Sequence, residues 1–414
     1  MVKKEYTYKH TTYACYRGYI TQAIINNLIP LFFYIFHSTF DINYEQLAFL
    51  IIANFATQLI ADIWATKYAD RVGYRKCMVA AHGLSFIGFV LLGTLPLILS
   101  NAYTGLIISV IVYALGGGLL EVIVSPIIEA LPNKNKEGSM SLLHSFYCWG
   151  QMSVVFISTF IIWIIGTDMW FILPLLWSLF PLYNMFKFLH VPILPLVEDG
   201  KGMNIKELFS SPSFYLFIIL MICAGASELT MSQWSSFFAE KGLGLPKLLG
   251  DLLGPGLFAL YMAIGRVLYG LWGNRIPIKK TLIISSLLCV ITYLVTVFSP
   301  YPLLSLISCS LTGITVALMW PGTFSLSSAK FPRGGTLMFG ILAICGDIGC
   351  SVGPWITGLI SDHFTKNENI LEAWPNMNLD IEQLAIRTGL LVAIIFPLMM
   401  LIGLLLARKN RRYT

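Results

Sequence analysis

Twelve apolar stretches, most of them near 20 residues and joined by short polar turns, leave this chain few folds. They cover residues 13–36, 45–66, 77–98, 103–130, 140–165, 170–188, 212–238, 249–272, 281–299, 301–328, 336–361 and 384–407. A helix needs about 20 apolar residues to cross a hydrocarbon core roughly 30 Å thick. Little of the chain lies outside these stretches, so no soluble catalytic domain fits and no enzyme is expected. Charged residues make up 12 % of the sequence and hydrophobic ones 57 %, against about 25 % charged in soluble proteins. The fold class expected is an all-α membrane protein of twelve transmembrane helices. Its 34 glycines and 19 prolines suit a bundle of broken helices, where neighbouring helices and waters satisfy the freed backbone groups.

Lysine and arginine set the orientation. With the N-terminus cytoplasmic, the turns and tails on that side hold 21 of the 27 basic residues. The other side holds only Lys241, Lys247, Lys366 and Arg387, while Arg17 and Arg266 lie within spans. Both termini are therefore expected in the cytoplasm, as in a multi-pass protein of a bacterial cell membrane. The net charge of +6 reports this asymmetry rather than nucleic-acid binding, which needs a basic solvated face. The opening MVKKEYTYKH has no small-residue cleavage site after the first apolar stretch, so it reads as leading into an uncleaved helix. Eight cysteines lie in or at the ends of apolar segments without a CxxC pair, consistent with free thiols and no metal site. No G-x-x-x-x-G-K-[ST] loop occurs, so no nucleotide cofactor is expected. Any driving energy comes from a gradient, or there is none.

Two turns reveal a duplication. Ala69-Asp70-Arg71-Val72-Gly73-Tyr74-Arg75-Lys76 and Gly273-Asn274-Arg275-Ile276-Pro277-Ile278-Lys279-Lys280 align at an offset of 204. Gly18 matches Gly225 at 207, Pro126 matches Pro321 at 195, and Gly150-Gln151 matches Gly346-Asp347 at 196. The expected organisation is a six-helix bundle over 1–189, a cytoplasmic linker over 190–211 and a second bundle over 212–414. Parallel halves of this kind are related by an axis along the membrane normal, with the substrate site near mid-depth.

The first turn resembles the loop signature D-R-x-G-R-[RK] of the major facilitator superfamily. Tyr74 replaces its first basic residue, and Thr66 replaces the glycine four residues before the Asp. The resemblance implies that Asp70 caps the positive end of the eleventh helix. Arg71, Arg75 and Lys76 could bind carboxylates or lipid phosphates, and Gly73 would permit the tight turn. Asn274 and Arg275 would form a weaker second latch. A positive-inside anchor alone would explain the basic residues but not Asp70 or Gly73. Asp62 and Arg266, equivalent in the repeat, are gating candidates, or else pair with neighbours inside each half.

Ionisable groups deep in spans cost roughly 2.5–3.5 kcal/mol on insertion scales. Glu121, preceded by Gly116-Gly117-Gly118 and followed by Pro126, is the deepest. It is read as a proton site or a sugar-hydroxyl acceptor, the alternative being a neutral acid bonded to a carbonyl freed by Pro126. Gly118-Leu119-Leu120-Glu121 with Pro126 resembles the fourth helix of fucose-permease-type sugar:proton symporters. Asn26, four residues before Pro30, stands where that group carries a coupling Asp. An amide cannot exchange protons, so coupling through that position is absent or has moved. Gln22, Asn26 and Asn27 in the first span, Glu228, Gln233 and Trp234 in the seventh, and Trp320 in the tenth complete a candidate sugar-binding set. Glu228 and Trp234 also suit an interfacial position, and Trp320 a packing role. Asp347 is a second candidate coupling acid, or a partner for an arginine or backbone group. Arg17 reads as snorkelling, and His144 as helix packing or proton relay.

The function expected is uptake of a sugar or similar polar solute with a proton or a sodium ion, by a monomer in contact with membrane lipids. An exporter of amphipathic compounds is the alternative. A non-transporting receptor or scaffold is a third, weighed against by the first loop motif.

Overall fold

A computed structural model describes residues 6–42, 44–196, 202–245, 250, 252–365 and 379–406. Among these residues every regular element is helical. The elements are α1 (Tyr8–Leu31), α2 (Phe33–Phe40), α3 (Tyr44–Val72), α4 (Tyr74–Ile98), α5 (Ala102–Ala130), α6 (Lys136–Ile165), α7 (Ile172–His190) and α8 (Ile205–Phe209). They continue with α9 (Pro212–Phe237), α10 (Leu257–Trp272), α11 (Ile278–Phe298), α12 (Pro302–Val316) and α13 (Met319–Lys330). The last are α14 (Gly335–Thr365), α15 (Ile381–Ala393) and α16 (Ile395–Leu406).

Eleven segments among the described residues are long and apolar enough to cross a membrane, with α12–α13 and α15–α16 each making one span. The first expected span is not among them. Within α1 lie Thr11, Thr12, Arg17, Thr21, Gln22, Asn26 and Asn27, and this polar load lowers its hydropathy below that of the others. Pro30 withholds a donor from the Asn26 carbonyl. The helix ends at Leu31 and resumes as α2 after Phe32.

Contacts divide the chain into two compact units. One comprises Met1–Lys134, Phe146–Asn204 and Arg333–Ile341, the other Asn135–Ser145, Ile205–Pro332 and Leu342–Thr414. In the first unit, α5 packs on α3, α4 and α1. The glycine triplet sits where it presses closest: a methyl group on Gly116 would overlap the Ala81 carbonyl, and one on Gly118 the Gln58 carbonyl and the Asp62 carboxylate. Small residues of this kind let helix backbones approach. The turn between α3 and α4 is a single residue, Gly73, at φ 94°, a conformation costly for a side chain. Asn101 caps α5 by accepting from the Thr104 amide at 3.2 Å.

In the second unit, α12 packs on α10 and α11. Pro212 and Pro302 open α9 and α12, where a missing N–H costs nothing. At the far end of α11, the buried Arg387 donates to the carbonyls of Val297 at 2.5 Å and Ser299 at 3.1 Å. Its cationic face lies 5.6 Å from the centre of the Phe238 ring. A guanidinium at a helix C-terminus meets both the orphan carbonyls and the negative end of the dipole.

Candidate substrate and coupling sites

In the first unit the polar groups of α1, α3 and α5 converge. Gln22 Nε2 donates to Gln58 Oε1 at 2.7 Å and to Glu121 Oε2 at 3.0 Å. Asn26 Oδ1 accepts from Gln58 Nε2 at 2.8 Å and from Asn54 Nδ2 at 3.1 Å. Asn26 Nδ2 in turn reaches the Tyr147 hydroxyl at 3.4 Å. Four amides and one carboxylate thus form a connected cluster beside the glycine triplet. Gln22, Asn54 and Gln58 are buried, whereas Asn26 and Glu121 are half-buried. Two acceptors in this cluster, Gln22 Oε1 and Asn54 Oδ1, are buried with no hydrogen-bond partner among the described residues. A small cleft adjoins it, lined by Asn26, Asn54, Tyr113 and apolar residues of α1 and α3. Such an inventory offers both donors and acceptors to hydroxyl groups, the chemistry by which neutral polar solutes are recognised.

Of the residues singled out by sequence, Gln22, Asn26 and Glu121 meet in this cluster. Asn27 does not; its amide donates to the Ala23 carbonyl of its own helix at 2.9 Å. Glu121 bonds Gln22 rather than a carbonyl freed by Pro126, and α5 runs unbroken through that proline. Asn54 and Gln58 were missed, although a signal existed. Asn54, Gln58 and Asp62 recur every four residues in an otherwise apolar span, one polar stripe on one helix face. Asp62 is fully buried, against Gly118.

In the second unit Glu228 and Arg266 form an ion pair, Nη2 to Oε2 at 2.9 Å, with side chains 17 % and 3 % exposed. Arg266 also donates from Nε to the Ala317 carbonyl at 2.9 Å and from Nη1 to the His144 carbonyl at 3.2 Å. Gln233 is exposed, and Trp234 donates to the Pro354 carbonyl at 3.1 Å. The Trp320 ring covers Gly346, the neighbour of the half-buried Asp347.

Around the first basic turn, Asp70 Oδ1 accepts from the Thr336 hydroxyl, in the first turn of α14, at 2.7 Å. The Tyr74 hydroxyl pairs with Thr336 Oγ1 at 2.6 Å. Arg75 donates to the carbonyls of Phe188, Leu189 and Val191 at 2.9, 2.7 and 2.9 Å, closing the end of α7. Arg71 and Lys76 are exposed, as is Arg275 in the second turn. The side chain of Asn274 lies outside the described residues. Arg17, half-buried, bonds Asn184 at 3.1 Å and lies over Tyr183.

The family model of the Major Facilitator Superfamily matches residues 18–354 and again 253–414. The chain belongs to the major facilitator superfamily of transporters. It is thus a multi-pass integral membrane protein, and its twelve-span architecture is that of the superfamily. Its fold is similar to the crystal structure of the transporter FucP in the outward conformation, with TM-score 0.77 and 17 % identity over 96 % of this chain and 99 % of that one. A second structure, of the E. coli fucose:proton symporter FucP, gives 0.75 at 16 % identity, covering 96 % of this chain and 98 % of that one. The proton:xylose symporter XylE, bound to 6-bromo-6-deoxy-D-glucose, gives 0.74 at 15 % identity over 94 % of each chain. No curated protein matches the chain by sequence.

Proposed function

We propose that this transporter takes up a neutral polyhydroxylated solute, a sugar or a close analogue, together with a proton by alternating access. The observation that carries the reading is the cluster of Gln22, Asn26, Asn54, Gln58 and Glu121, four amides around one carboxylate. Amides bond hydroxyls in both directions without adding charge, and Glu121 is the group there able to bind and release a proton. The likeness of the fold to two sugar:proton symporters supports the same reading. Glu228 and Asp347 are the acids that would replace coupling lost at Asn26, with Gln233, Trp234 and Trp320 completing the solute contacts. Asp62, Asp70, Arg71, Gly73, Arg75, Arg266, Asn274 and Arg275 form the proposed gating set. The protein works as a monomer of two six-helix halves in a bacterial cell membrane, among lipids, with both termini cytoplasmic.

Uptake into proteoliposomes decides the coupling. A radiolabelled sugar should accumulate under an imposed inward proton gradient, and Glu121→Gln should abolish that accumulation. Sugar flux that ignores pH and Glu121→Gln while following a sodium gradient would move the coupling to sodium. Absence of any sugar flux, with drug efflux in its place, would overturn the reading.

A further inference from the structure

The tenth span is broken, and the break has a chemical partner. Helix α12 ends at Val316 and α13 begins at Met319. Pro321 has no N–H, so the Ala317 carbonyl four residues earlier loses its helical donor. Arg266 Nε supplies one at 2.9 Å. The other two nitrogens of the guanidinium are engaged as well, Nη2 by Glu228 on α9 and Nη1 by the His144 carbonyl on α6. The backbone of Arg266 is held in place by Ser141, whose hydroxyl donates to its carbonyl at 2.7 Å. A planar fork can serve three acceptors in fixed directions, which a lysine cannot.

The repeat offers an internal control. Asp62 and Pro126 correspond to Arg266 and Pro321 at offsets of 204 and 195. A carboxylate cannot donate to a carbonyl, and α5 remains continuous through Pro126. Where the repeat carries a donor instead, the helix is open.

We propose that Arg266 is a positioning residue: it stands in for the amide that Pro321 lacks and ties the break in the tenth span to Glu228. What it positions is α13, which carries Trp320 against Gly346, next to Asp347. The Glu228–Arg266 pair is then read by the aromatic ring beside Asp347, whichever solute is carried.

Hydrogen–deuterium exchange on the full-length protein in nanodiscs tests this. The double variant Glu228→Gln/Arg266→Met removes both charges together and leaves no buried ion unpaired. It should speed exchange about tenfold in peptides spanning 314–326, the size expected for one lost hydrogen bond. Pro321→Ala restores the missing N–H, so adding the double variant to it should leave exchange there unchanged. That rescue separates the proposal from simple packing, which a new amide at position 321 would not repair. Arg266→Lys keeps a charge for Glu228 but loses the Nε donor, and should loosen the same segment alone. An unchanged rate in both Arg266 variants, or equal acceleration with and without Pro321→Ala, would overturn the assignment.

Discussion

Gln58 joins the two halves of the amide cluster, accepting from Gln22 and donating to Asn26. Gln58→Leu should therefore lower the thermal unfolding midpoint in detergent, because both neighbours lose a bond inside a buried site. Each buried group left unsatisfied costs about 1–3 kcal/mol. Gln58→Glu should be tolerated better, since it keeps the acceptor for Gln22. Equal midpoints for the two variants would show that volume, not hydrogen bonding, matters at this position. At this scale the sequence was only partly legible. Glu121 announced itself, because a carboxyl in an apolar stretch has few structural excuses. Gln58 did not, because a neutral amide fits many buried roles. Glu228 and Arg266 were each singled out, yet with separate roles. Nothing in a spacing of 38 residues says that two side chains on different helices meet at 2.9 Å.

Helices are placed here by what their faces lack. The triplet Gly116-Gly117-Gly118 brings α5 against α3 and α4, with Gln22 and Gln58 reaching over Gly117. Gly118→Val should force α3 away from α5, since even a methyl group there would meet the Gln58 carbonyl and Asp62. Close packing makes such insertions cost typically 1–3 kcal/mol. The expected result is a lower unfolding midpoint together with loss of solute binding, and a variant with unaltered binding would detach the triplet from the cluster. The glycines were readable as a close approach, but the partner helices were not. Pro126 and Pro321 carry a related lesson. Both prolines read as helix breakers in the sequence, yet α5 runs on through Pro126 while the tenth span breaks just before Pro321, where Arg266 donates to the Ala317 carbonyl.

For the whole molecule, hydropathy was the legible quantity. Eleven expected spans returned as apolar helices, and the first fell short because it carries Arg17, Gln22, Asn26 and Asn27 along with several threonines. The distribution of basic residues predicts cytoplasmic termini. A green fluorescent protein fused at the C-terminus should fluoresce in cells, whereas alkaline phosphatase fused there should be inactive; the reverse pattern would invert the topology. The first basic turn has a mechanical consequence. Within six residues it grips two distant parts of the chain: Asp70 holds the start of α14 through Thr336, and Arg75 holds the end of α7 through three carbonyls. Gly73, between them, is the single pivot. Tension applied to the chain leaving α7 would therefore reach the first turn of α14 through one hairpin, without passing along any span.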